Sequence, residues 1–172
     1  MDVKKLGIKI STEEKYKKWL KDCYEYSKNS NHPSTHNGAL LIKNDKVILK
    51  GTNRLPPGVE EKPERFEGDN KHLYPNHAER DLVYKAAKDG IKMDGLDMVM
   101  PWLPCIACAN AVISSGIKTL IVHAQMIDRT REGWVEELEN AVEIMQEAGV
   151  EIVAYDGVVG AKAYMHSEEW DA

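Results

Sequence analysis

Three side chains in two short segments have the types and spacing of a metal site. His77 lies in HAERD (77–81), and Cys105 and Cys108 lie in PCIAC (104–108). Zinc favours Cys thiolate and His nitrogen; a structural site closes with four protein ligands, whereas a catalytic site keeps one position open for water. The remaining cysteine, Cys23, falls on the apolar face of a helical pattern and is read as a core residue. Three ligands without an evident fourth fit the open kind of site. Glu79 is too close to His77 in sequence to be a comfortable fourth ligand, and is placed to take a proton from activated water and deliver it elsewhere. Two thiolates would neutralise the ion and weaken its pull on water. Backbone N–H groups at a helix start can hydrogen-bond the sulfurs and offset this, so that water pKa falls towards ~7.

The elements that must position these groups follow from periodicity. Residues 11–28 read as a helix, with Ser11 and Glu14 in a capping-box pattern and Tyr16, Trp19, Leu20, Cys23 and Tyr24 on one face. GALLIKNDKVILKGTN (38–53) reads as a hairpin turning at Asn44-Asp45. The stretch 54–76 is irregular, proline-containing and charged, which suggests a functional loop or a solvated excursion. A helix runs from His77 to near Gly90, a strand covers 97–100, and a helix over 105–115 stops at Gly116. TLIVH (119–123) is a buried-type strand, 133–148 an amphipathic helix, and VEIVAY (150–155) a last strand. The order α-β-β-α-β-α-β-α-β implies a sheet with helices on its faces. His77 and Cys105 each open a helix, and Cys108 lies one turn beyond Cys105, so both sulfurs can face one point.

A length of 172 residues favours one domain over 1–172, with an extension of unassigned role from about residue 156. The apolar share of 42% and charged share of 30% are those of a soluble globular protein. A net charge of −5 argues against a broad surface for nucleic acid or anionic membrane, while leaving room for a local basic pocket for one phosphate. Three cysteines do not make a disulfide framework, and no apolar leader or membrane span is seen, so a cytoplasmic protein is expected.

Alone, HxE or CxxC is weak evidence, and CxxC could equally be a redox pair. HxE followed by PCxxC, each at a helix start, is the pattern of zinc nucleobase deaminases. Over residues 12–153 the chain resembles the cytidine deaminase superfamily, and more closely its deoxycytidylate (dCMP) deaminase branch. The segments that carry the likeness are NHPSTHNGALLI (31–42), GTNRLPPGV (51–59), YPNHAERDLVYKAA (74–87), WLPCIACANAVISSGIKTLIV (102–122) and EAGVEIV (147–153).

The resemblance implies a three-layer α/β/α sandwich around a five-stranded mixed sheet, commonly oligomeric and often hexameric. It implies Zn2+ on His77, Cys105 and Cys108, and proton transfer by Glu79 during hydrolysis of dCMP to dUMP and ammonia. Asn53 would contact the sugar, the Ala78 N–H the base carbonyl, and the Leu103 carbonyl the amino group. For the phosphate, Arg54 is favoured over Arg65, Lys71 and Arg80 as the neighbour of Asn53, and Tyr74 and Trp102 are candidates to wall the base. The chain departs from the branch at Asp81, where many relatives have Asn, at Arg54, where many have Gly, at Trp102, and in lacking the cysteines of a second zinc site. Three rival readings stand beside this one: a deaminase of 5-substituted dCMP or guanine, a tRNA-editing deaminase, and a zinc-stabilised interaction module with a fourth ligand such as His72.

Overall fold

A computed structural model describes all residues, 1–172. Its frame is a mixed sheet with strand order β1-β6-β5-β4-β2-β3, formed by β1 (Lys9–Ser11), β2 (Gly38–Lys43), β3 (Lys46–Thr52), β4 (Asp97–Val99), β5 (Thr119–His123) and β6 (Glu151–Tyr155). Strands β1, β6, β5 and β4 run parallel, while β2 pairs antiparallel with β4 and β3. The sheet thus has six strands where five were expected. The extra one, β1, is a three-residue, largely exposed edge strand, too short and polar to show a period. Parallel pairing with β6 from Lys9↔Val153 to Ser11↔Tyr155 and a 3.0 Å Lys9–Glu151 ion pair hold it.

Alternation along each buried strand feeds two cores. Ala39, Leu41, Met98, Met100, Leu120, Val122, Ile152 and Ala154 point to one face, whereas Leu40, Ile42, Val99, Ile121, Val153 and Tyr155 point to the other. The first face is covered by α3 (Ala78–Asp89), α4 (Ile106–Ser114) and α6 (Glu132–Glu147), and the second by α1 (Glu14–Ser27). This is the expected α/β/α layering. Cys23 is fully buried in the α1 layer, its Sγ donating to the Val99 carbonyl at 3.6 Å.

Ser11 does not cap α1. It belongs to β1, Glu13 is the N-cap without a side-chain bond, and the Ser11 hydroxyl accepts from the Glu13 N–H at 3.2 Å. The Asn44-Asp45 turn is as expected, both residues being left-handed (φ 50° and 59°), the backbone of a tight two-residue hairpin turn. Within 54–76 the chain forms a 3-10 turn at Pro63–Arg65 and a short helix, α2 (Asn70–Leu73). A further short helix, α5 (Ala124–Asp128), leads to α6. The tail from 156 folds into a hairpin of its own, β7 (Lys162–Met165) and β8 (Glu168–Asp171). No helix is long and apolar enough to cross a membrane.

Candidate metal centre and active site

His77 is the N-cap of α3 and Cys105 the N-cap of α4, both on extended backbone, and Cys108 lies within the first turn of α4. Two helix N-termini therefore converge on one point. His77 Nδ1 lies 3.6 Å from Cys105 Sγ and 3.5 Å from Cys108 Sγ, and the three donor atoms lie within 4.8 Å of one another. A tetrahedral zinc ion about 2.3 Å from sulfur and about 2.0 Å from nitrogen separates such donors by about 3.5 Å, so this donor set fits zinc. His72 is not part of the cluster; its exposed ring lies 5.8 Å from that of Trp134.

The electrostatics suit a cation between these groups. The neighbouring Cys108 thiol first, and then His77, hold the Cys105 pKa below the ordinary thiol range against the opposing effect of burial. The neighbouring Cys105 and burial push Cys108 up. Burial pulls His77 down, but the Cys105 hydrogen bond and the Glu79 charge outweigh it and leave His77 raised. Glu79 is only 2% exposed, and its Oε2 is buried with no hydrogen-bond partner. Burial raises its pKa, with His77 opposing. A carboxyl group held this way is suited to accept a proton and release it again.

These groups form the floor of a cleft of about 210 Å³. Of the residues expected to bind substrate, Asn53, Ala78, Leu103 and Trp102 line it. The Ala78 N–H and the Leu103 carbonyl are bonded to no other backbone group, so both are free for a ligand. Asn53 is occupied with the chain itself: its Oδ1 accepts from the Asn37 N–H and its Nδ2 donates to the Thr35 carbonyl, both at 2.7 Å. It holds the 35–37 segment against the cleft.

Arg54 and Tyr74 lie outside the lining. Arg54 follows the end of β3 and is half-buried, its Nε enclosed without a partner, and its backbone exchanges hydrogen bonds with Asn76 at 3.1 and 2.8 Å. Tyr74 is 47% exposed and carries the Arg65 guanidinium 5.7 Å from its ring centre. Arg80 is likewise absent from the lining, whereas Lys71 is part of it.

The cleft also takes residues that sequence reading passed over: Asn37 and Thr35 before β2, Arg131 and Trp134 at the start of α6, and Met165 and His166 on the C-terminal hairpin. The polar run before β2 was a usable signal for the first pair. No local signal existed for the hairpin, because contacts between distant loops bring it in.

Asp81, one of the departures from the branch, is 3% exposed and ties α3 to β3. Its Oδ2 accepts from the Thr52 N–H at 3.0 Å and pairs with Lys85 at 2.6 Å. The residue next to Asn53 is thus pinned to the helix that carries Glu79.

The chain matches the family model of the cytidine and deoxycytidylate deaminase zinc-binding region over residues 13–124. It is 29% identical over 139 residues to an uncharacterized deaminase in the luxG 3′ region of Aliivibrio fischeri, covering 78% of this chain and 92% of that protein. It is 32% identical over 114 residues to the deoxycytidylate deaminase of enterobacteria phage T4, covering 60% of this chain and only 58% of the phage protein. The fold is similar to that of the dCMP deaminase from cyanophage S-TIM5 in complex with dCMP and dUMP, with a TM-score of 0.64 at 21% identity over 83% of this chain and 97% of that one. His77, Glu79, Cys105 and Cys108 all fall within the matched stretch, and the chain belongs to the cytidine and deoxycytidylate deaminase zinc-binding family.

Proposed function

We propose that the protein hydrolyses the exocyclic amine of a cytosine nucleotide, converting dCMP to dUMP and ammonia. The supporting observation is the buried, unpartnered Oε2 of Glu79 beside the His77–Cys105–Cys108 donor set, on the floor of a cleft. His77, Cys105 and Cys108 hold zinc, which when bound supplies the Lewis acidity that makes water a nucleophile at neutral pH. Glu79 takes a proton from the water that adds to C4 of the ring and passes it to N3; it then takes the proton of the C4 hydroxyl and gives it to the amine as the C4–N bond breaks and the C4 carbonyl forms. The Ala78 N–H donates to the base carbonyl and the Leu103 carbonyl accepts from the amino group, while Trp102 walls the base. Asn53 stands at the sugar and shapes that wall by fixing residues 35–37.

Water and a cytosine ring need no cofactor other than zinc. The protein works in the cytoplasm as a homo-oligomer, the latter supported by exposed apolar side chains such as Leu73, Tyr84 and Ile106, and light scattering measures the assembly. The activity is tested by ammonia release from the zinc-loaded protein with dCMP, dCTP, cytidine, 5-substituted dCMP and guanine. The reading predicts dCMP as the best substrate; guanine or a 5-substituted nucleotide turned over faster would reassign it.

A further inference from the structure

The family match ends at residue 124, yet the cleft does not. Two of its walls come from later sequence: Arg131 at the N-cap of α6, and Met165 and His166 on the β7–β8 hairpin. The hairpin is fastened over the segment that Asn53 fixes. Thr35 bridges Met165, the His36 N–H donates to the Tyr164 carbonyl at 2.8 Å, and the Ser167 N–H donates to the Ser34 carbonyl at 2.8 Å. His166 and Ser167 form the turn and are both left-handed (φ 56° and 66°), a conformation that costs a histidine energy and that glycine or asparagine would take more easily. The first of these two residues is the one whose ring lines the cleft. Trp102 holds that ring edge-on at 5.9 Å, and its Nε2 is buried with no partner.

His166 has company of one sign. Burial lowers its pKa first, and then the charges of Arg131 and Lys71 do, with Glu168 opposing. Lys71 and Arg131 both line the cleft, and neither has a carboxylate partner in an ion pair. Glu79 is the only carboxylate in the lining, and it lies at the metal end. The outer strand of the hairpin, by contrast, carries Glu168, Glu169 and Asp171. Away from the metal end the cleft lining is therefore basic, an arrangement that suits a small anion.

We propose that the hairpin tip, through His166, joins Lys71 and Arg131 in an anion subsite that holds the phosphate of the nucleotide. The subsite rests on the nucleotide reading above. Its three donors come from three separate elements, and His166 is the specificity-determining residue that the C-terminal extension adds. Two cations and one N–H donor match the several acceptor oxygens of a phosphate monoester.

The test compares dUMP, deoxyuridine and inorganic phosphate by calorimetry on zinc-loaded wild type and on Lys71→Gln, Arg131→Gln and His166→Asn, the last chosen because asparagine tolerates the left-handed turn. Turnover of dCMP and deoxycytidine is measured alongside. Each substitution should weaken dUMP binding about 10- to 100-fold while leaving deoxyuridine nearly unchanged, and inorganic phosphate should compete with dUMP in the wild type. In turnover, kcat/KM should fall for dCMP through KM and not for deoxycytidine. Equal dUMP affinity in wild type and all three variants, or parallel losses for dUMP and deoxyuridine, would overturn the subsite even if dCMP is deaminated. Loss of dUMP binding confined to the variants, in a protein that releases ammonia from no cytosine compound, would uphold the subsite and discard the reaction.

Discussion

Replacing Gly51 by alanine should disturb the metal centre from the opposite side of a helix. Strand β3 passes α3 so closely that a Cβ at position 51 would lie 2.5 Å from the Ala78 carbonyl oxygen, 2.7 Å from the Leu82 nitrogen and 2.9 Å from the Leu82 Cβ. Two of these atoms are backbone, so no rotamer change relieves the clash. Restoring ordinary contact requires strand and helix to part by about 1 Å. The helix turn that must move carries His77 and Glu79, whereas Cys105 and Cys108 ride on α4. The His77 Nδ1 to sulfur distances, 3.5 and 3.6 Å, would no longer suit one tetrahedral ion. Overpacking of this kind costs about 1–3 kcal/mol, which for a chain of this size lowers Tm by about 3–10 °C. A displacement of about 1 Å at the reacting groups costs about 100-fold in rate. Circular dichroism melting, zinc content by elemental analysis and ammonia release together check this. A Gly51→Ala protein with wild-type Tm, zinc stoichiometry and turnover would refute the close-approach argument.

Other substitutions separate local from global effects. Gly133→Ala is the contrasting case: its Cβ would meet nothing within 4 Å in the first turn of α6, so thermal melting should show a gain of about 0.5–1 kcal/mol. Asp81→Ala leaves the Thr52 N–H without its acceptor and Lys85 without its partner. It should cost about 3 kcal/mol in urea unfolding, with Asp81→Asn losing less because it keeps the Thr52 bond; a cost no greater than that of an exposed Asp→Ala would contradict the pinning role. His123 is fully buried, its Nε2–H donating to the Gly157 carbonyl at 3.0 Å and its Nδ1 facing the Tyr24 hydroxyl at 2.7 Å. Burial lowers its pKa, so the unfolded chain takes up this proton first, and stability falls as pH drops below the ordinary histidine value of 6.5 towards the folded pKa. Urea unfolding from pH 7.5 down to 5.5 should show a shallower decline in His123→Gln than in wild type; identical slopes would remove His123 from the account.

The parts of the molecule legible in sequence are those where one local pattern decides the outcome. GALLIK, TLIVH and EIVAY are nearly continuous apolar runs because both faces of the sheet are covered. HAE and PCIAC announce their geometry because a histidine and a cysteine at helix N-caps, with the second sulfur one turn on, can meet in few ways. Where two segments compete for a residue, the local pattern loses. Ser11 has the spacing of a capping box, but pairing with Tyr155 claims it for β1. Arg54 neighbours a cleft residue yet lies outside the lining, because β3 has ended at Thr52 and its backbone is claimed by Asn76. The hairpin was invisible for a different reason. Its turn is His-Ser instead of a glycine pair, and what makes it part of the site is the meeting of Thr35 with Met165, far apart along the chain.

The central claim is that Glu79 moves protons beside a metal held by His77, Cys105 and Cys108. Zinc content and ammonia release measured on the same preparation of Glu79→Gln test it most directly. The account predicts zinc at the wild-type ratio with turnover of dCMP reduced by about 10²–10⁴-fold. Wild-type turnover in that variant, or full activity in wild-type protein that carries no metal, would contradict it.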